Sequence, residues 1–391
     1  PAGWWTGAYG VPRTWAATGK AASGFGSGML HTPMGIALDP VRGYAFVSDY
    51  GSYRINRFNA VTGAFMGWVG RVEISPTGGE AGCAGATPNN PTPGWCTGGT
   101  AKSTFALLGG VPAPRAIAFD PATNTIYLAP GASRIEKRSG VTGLIQGWIG
   151  RVGTTPTGGA AGCTATSSPN PTPGWCTGGE AGNGNGDGAF ALSNSPYGLA
   201  IDPARDRLFA SDFSNHRIMM YQLSTGVFLG WRGRILTSPT GGDPGCNGAS
   251  AGTTTPGWCL GGTAQSGTGD LQFNSPAQLA IDPNDGALYI AEFGNHRVQK
   301  LIVPSNTYVG WLGRVNTTPT GGTSGCTSAT SGTTLPGWCT GGTASSGLGI
   351  AGVAGLANPG GIAVNPVSDE LLVADYGNSR VIKYVASSGA F

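Results

Sequence analysis

"SPAQLAIDPNDGALYIAEFGNHRVQKL", Ser275–Leu301, holds three short apolar runs separated by two turns. The first run closes on Asp-Pro, the second on an acid and an aromatic, and the third opens at Arg297. Runs this short, rich in β-branched and aromatic residues and bounded by Pro, Gly, Asp or Asn, read as strands joined by tight turns. The first run has four counterparts, "GIALDP" (Gly35–Pro40), "AIAFDP" (Ala116–Pro121), "GLAIDP" (Gly198–Pro203) and "GIAVNP" (Gly361–Pro366), spaced 80 to 83 residues apart. Each is followed by a second and a third run. Four repeats add a fourth, "GWVGR", "GWIGR", "GWRGR" or "GWLGR". A four-stranded antiparallel unit has no core alone and buries its faces only against its neighbours, so the pattern predicts an all-β propeller of five blades.

Composition agrees with β-structure joined by long neutral loops. Gly (71) and Pro (28) make up a quarter of the 391 residues, and only 10% are charged. The 11 Trp, 11 Tyr and 13 Phe are too many for a disordered chain. A net charge of +3 gives no electrostatic footprint for nucleic acid or an anionic membrane. No apolar stretch is long enough for a membrane-spanning helix.

Ser275–Leu301 and "SPYGLAIDPARDRLFASDFSNHRIMMY" (Ser195–Tyr221), with the Gly-rich lead-in "GTGDLQFNSP", resemble NHL repeats. The resemblance implies a β-propeller used for binding or scaffolding, with lyases or hydrolases a minority. On this reading residues 1–391 form one propeller, with blades at about 31–71, 112–151, 194–234, 274–314 and 357–391. Inserts unusual for such repeats occupy about 72–111, 152–193, 235–273 and 315–356.

Each insert contains two cysteines with twelve residues between them: Cys83/Cys96, Cys163/Cys176, Cys246/Cys259 and Cys326/Cys339. Local pairing is the simplest connectivity. Four local disulfides point to an oxidising location: extracellular, cell surface or periplasm. Closing a loop of this size stabilises by about 3 kcal/mol in the chain-entropy model. A tryptophan precedes every second cysteine, at Trp95, Trp175, Trp258 and Trp338. Either the indole lies over its disulfide, or the four form exposed aromatics for a protein or glycan partner. Alternating strand directions place the inserts beside the turns between second and third strands, on one face.

Those turns carry an acid and an arginine five residues apart: Asp49–Arg54, Asp212–Arg217, Glu292–Arg297 and Asp375–Arg380. A buried pair there would clip the turn or tie adjacent blades. Pro130 stands where the second repeat needs its acid, so that clip is expected to be missing. "PAGWWTG" (Pro1–Gly7), with Trp4 and Trp5, has no blade of its own. It is read as a strand closing the last blade, a strand donated to another copy, or part of a longer array.

Catalytic chemistry finds little support. The histidines are His31, His216 and His296, and the last two share an "NHR" turn. Zinc bound by several histidines, as in lyases resembling NHL proteins, is the competing expectation. No GxSxG or HExxH occurs. "GNGNGDG" (Gly182–Gly188) reads as a flexible connector rather than a calcium loop. Asn316-Thr317-Thr318 is a glycosylation sequon, relevant only in a glycosylating host. The expectation is a non-enzymatic extracellular module without cofactor, binding protein or glycan and capable of self-association as a fibre subunit.

Overall fold

In a computed structural model, residues 23–103, 110–192, 194–349 and 354–391 are described. The segment with Trp4 and Trp5 therefore lies outside the described residues. Strands and short 3-10 turns are the only regular elements among those described. The chain divides into two compact units, Pro1–Asn183 and Gly184–Phe391.

In the first unit, one antiparallel sheet runs Pro33–Asp39, Tyr44–Asp49, Arg54–Asn59 and Phe65–Gly70. A second runs Ala116–Asp120, Thr125–Ala129, Arg134–Ser139 and Ile145–Thr154. Strand period 2 sends alternate side chains to opposite faces. Phe46, Ile55 and Val69 of the first sheet thus meet Ile117, Phe119, Ile126 and Leu128 of the second, in one buried cluster. The Asp-Pro turns hold because the carboxylate of Asp39 accepts the amides of Val41 and Arg42, an Asx turn.

The second unit repeats this order. Leu199–Asp202, Arg207–Asp212, Arg217–Gln222 and Phe228–Thr237 form its first sheet. Pro276–Ile281, Ala287–Glu292, Arg297–Ile302 and Thr307–Thr317 form the next. Pro359–Asn365, Glu370–Asp375 and Arg380–Val385 form a three-stranded sheet. Phe209 and Ile218 pack against Leu279, Leu288, Ile290 and Leu301. Tyr289, Val298 and Leu312 pack against Leu371, Val373, Ile382 and Tyr384.

The inserts do more than stand beside the turns. Cys96–Thr97 pairs with the outer edge of the fourth strand, Trp68 opposite Cys96, and Gly78–Gly79 pairs with Cys96–Thr97 in turn. The same two extra strands recur at Cys176, Cys259 and Cys339. Each insert therefore covers a fourth-strand edge that would otherwise offer a row of unpaired backbone groups.

Candidate functional site

The acids of the four acid–arginine pairs are buried, as are Arg54, Arg217 and Arg297, while Arg380 is half-buried. Asp49 and Arg54 lie 3.5 Å apart, Asp212 and Arg217 3.0 Å, and Asp375 and Arg380 2.8 Å; Glu292 and Arg297 are in direct contact. The rest of each guanidinium gathers the Gly-rich lead-in of its own repeat. Arg54 donates to the carbonyls of Phe25, Gly26 and Met29. Arg217 donates to those of Asn185, Gly186 and Ala189, and Arg297 to those of Thr268, Gly269 and Gln272. The acid accepts one amide from the same lead-in: His31 on Asp49, Ala191 on Asp212, Asn274 on Glu292 and Ala357 on Asp375. The pair thus folds a glycine-rich loop with little apolar surface of its own. Burial pushes the Asp49 carboxyl up, against the His31 amide and Arg54, which pull it down.

The second repeat corrects the expectation of a missing clip. Arg134 finds its carboxylate two residues on, in Glu136, with Nε at 2.8 Å and Nη2 at 2.6 Å from Oε1. Glu136 also accepts from Arg138. Burial raises the Glu136 carboxyl, but Arg138 and Arg134 outweigh it and hold the group below its ordinary value. "GNGNGDG" needs a correction too, because it is not a loose connector. Its Asn185 and Gly186 carbonyls hold Arg217, and the Asp187 carboxylate accepts the amide of Gly261 at 2.9–3.0 Å.

The disulfides Cys83–Cys96, Cys163–Cys176, Cys246–Cys259 and Cys326–Cys339 close the inserts. The indoles that pack on them come from the fourth strand. Trp68, Trp148 and Trp311 cluster with the adjacent cystines. Trp231 faces Cys259 across the ladder. All four are 0% exposed. Each donates its Nε1–H to the glycine after the "WCT" or "WCL" turn, at 2.8–2.9 Å. The "GG" of that turn is obligatory. Gly262 has φ of +66°, and a Cβ there would lie 2.3 Å from the carbonyl oxygen of Thr237. The arginine of "GWxGR" ties the insert from the other side: Arg234 donates to the carbonyls of Gly252 and Ser266, and Arg314 to those of Gly332 and Ser346. Sequence reasoning missed both residues, although their fourfold recurrence was the signal.

Trp95, Trp175, Trp258 and Trp338 neither cover their disulfides nor face solvent. They are 0–7% exposed. Trp95, Trp258 and Trp338 belong to the clusters between sheets, and Trp175 packs on Tyr127. Cations from the third or fourth strands lie over them, Arg57 at 4.6 Å from Trp95 and Lys300 at 5.5 Å from Trp338. They are core, and the expectation of an exposed aromatic ring is withdrawn. The inserts expose small neutral residues such as Ala84, Thr164, Ser250 and Thr330, together with Glu73 and the apolar Ile74, Leu192, Leu236 and Leu348.

His216 and His296 occupy left-handed turn positions, with φ of 55° and 54°. Nδ1 of His216 accepts the amide of Ser275 in the following sheet, and Nδ1 of His296 that of Asn358, both at 3.1 Å. Burial pushes both imidazoles below their ordinary pKa, against Asp212 and Asp375 respectively. Among the described residues, no three of His, Cys, Asp and Glu gather as a metal would require. Among the described residues no helix is long and apolar enough to cross a membrane.

The NHL repeat model matches residues 273–301 and 356–384. The solved nidogen/laminin complex is similar to this chain at 15% identity and a TM-score of 0.43, over 91% of this chain and 77% of that one. Selenomethionine-substituted virginiamycin B lyase from Staphylococcus aureus is similar at 11% identity and a TM-score of 0.39, over 91% and 67%. No curated protein sequence matches. Two sheets of the second unit thus match the NHL repeat, and their antiparallel strand order recurs in the other sheets.

Proposed function

We propose that this chain is a non-enzymatic extracellular interaction module. The observation that carries this reading is how the polar groups beside the inserts are used. The turn acids hold arginines, the arginines hold lead-in carbonyls, and the two imidazoles hold amides of the next sheet. Groups engaged this way serve rigidity rather than proton transfer. The inserts, stapled and edge-paired, display rigid loops of the kind that contact partners. Four disulfides favour an oxidising location.

The test is metal analysis and a turnover screen on the purified full chain. His216→Ala and His296→Ala are expected to leave metal content unchanged. Stoichiometric zinc that disappears with those substitutions would overturn the reading in favour of a metal-dependent lyase or hydrolase.

Self-association is a second reading, favoured by one face. Leu372, Val381 and Val385 are 40%, 67% and 42% exposed. The corresponding face of the two preceding sheets carries Phe209 with Ile218 and Tyr289 with Val298, each buried under its neighbour. Negative-stain microscopy of native material checks this reading: filaments support it, and isolated particles at every concentration remove it.

A further inference from the structure

Within each unit, neighbouring sheets meet through one repeated pair of contacts. The second and third strands of one sheet present an aromatic and a β-branched residue: Phe46 with Ile55, Phe209 with Ile218, and Tyr289 with Val298. The first strand of the next sheet receives them on two apolar residues of one face: Ile117 with Phe119, Leu279 with Ile281, and Ile362 with Val364.

Two faces of the same design stand open. On Pro33–Asp39 the receiving pair is Ile36 and Leu38, 61% and 58% exposed where Ile117 and Phe119 are 7% and 9%. Their register matches, since Ile36 stands opposite Val47 and Leu38 opposite Ala45, as Ile117 does opposite Leu128 and Phe119 opposite Ile126. On the three-stranded sheet of the second unit the entering pair is Leu372 and Val381. Leu372 stands opposite Lys383 and Val381 opposite Ala374, as Tyr289 does opposite Lys300 and Val298 opposite Ala291.

We propose that these two faces join copies of the chain head to tail, Leu372 and Val381 of one molecule lying on Ile36 and Leu38 of the next. The inference rests on the self-association reading and supplies its other half, the surface that receives the three-stranded sheet. The chain's own use of the pair selects the occupant, because the same apolar pairing in the same register seals sheet to sheet three times inside the units. A second copy offers each open face its complement. The entering and receiving surfaces differ, so the contact is heterologous and one molecule can use both at once. Polar fastenings of the internal seams are absent from it. Ala374 stands where Ser211 donates to the carbonyl of Ala277, and Ser379 where His216 and His296 accept amides of the following sheet. The contact therefore rests on apolar burial and is reversible.

Sedimentation velocity of the full chain over a range of concentrations tests the proposal. The wild type is expected to grow in mass with concentration. Ile36→Lys spoils the receiving face and Val381→Lys the entering face, each at a position that solvent already reaches, so circular dichroism should not change. Either substitution carries an unpaired ammonium into the seam and should weaken association more than about tenfold. Mixed in equal amounts, the two variants keep one intact face each and should form a dimer that grows no further. Only two unlike faces allow such a rescue. Association of Ile36→Lys at the wild-type level, or a mixture that stays monomeric, overturns the proposal. A wild type that is monomeric at every concentration removes it together with the self-association reading. Filaments that neither substitution shortens keep that reading and overturn this contact.

Discussion

Glu136 and Arg134 meet inside a single strand, two residues apart, with Oε1 2.8 Å from Nε and 2.6 Å from Nη2. Elsewhere the acid sits across the turn, five residues before its arginine. One carboxylate here also serves Arg138. Removing it strands two guanidinium groups in a dry interior, which typically costs about 3–5 kcal/mol. Glu136→Gln should therefore lower the urea midpoint of unfolding sharply. Pro130→Asp in that background, returning an acid to the usual place, should recover part of the loss. A loss below about 1 kcal/mol would contradict the role given to Glu136.

Trp148 and the Cys163–Cys176 bridge form one small core, with the indole also bonded to the carbonyl of Gly178. Cys163→Ser with Cys176→Ser should cost about 3 kcal/mol, and Trp148→Ala about 3–5 kcal/mol. Because they touch, the combined protein should lose less than the sum, with a coupling of about 0.5–3 kcal/mol. Denaturant unfolding of the four proteins in the cycle measures this. Simple additivity would mean that the indole does not support the cystine.

Gly262→Ala places a Cβ against the Thr237 carbonyl oxygen in a left-handed backbone. The backbone term alone is about 1–2 kcal/mol. The expected result is local opening of that insert, read as faster proteolytic nicking between Thr237 and Gly262 while the sheets keep their circular dichroism. Unchanged nicking would show that the turn tolerates the methyl group.

The two histidine clips predict a pH dependence. Burial holds both imidazoles below the ordinary histidine pKa, so the fold favours the neutral form that accepts at Nδ1. Their contribution is complete above about pH 6.5 and is lost as pH falls through the depressed folded values. His216→Asn with His296→Asn keeps a short acceptor and suits a left-handed backbone, but does not titrate in this range. The stability difference between wild type and this variant should narrow or reverse from pH 7 to pH 5. A constant difference would mean that the imidazoles do not titrate in the clip.

Much of this architecture was legible in the residues. The runs around "LAIDP" and "LYIAE" marked strands because their alternation and bounding turns are local features. The five-residue spacing of Asp212 and Arg217 marked a clip because both sit on one tight turn. The identity of the indole over each cystine was not legible, and the cause is register. Cys96 pairs with Trp68 and shares its face of the sheet. Trp95, one residue earlier, must then point to the opposite face, into the core between sheets. That assignment depends on an insert strand joining the edge of the fourth, a non-local pairing that spacing within the insert does not encode. Glu136 escaped for a similar reason, since its partner is set by the pleat rather than by the turn.

The lead-in of a repeat reaches the insert of that same repeat: Ser27 to the amide of Gly98, Asp187 to Gly261, and Asp270 to Gly341. A span of 71 to 74 residues is thereby sewn shut on itself. Genetic duplication or deletion of one such span would carry its own fastenings with it and leave no torn seam in the loops that remain. A whole cassette can therefore be gained or lost without cutting these bonds, and the outward positions of each insert hold none of them.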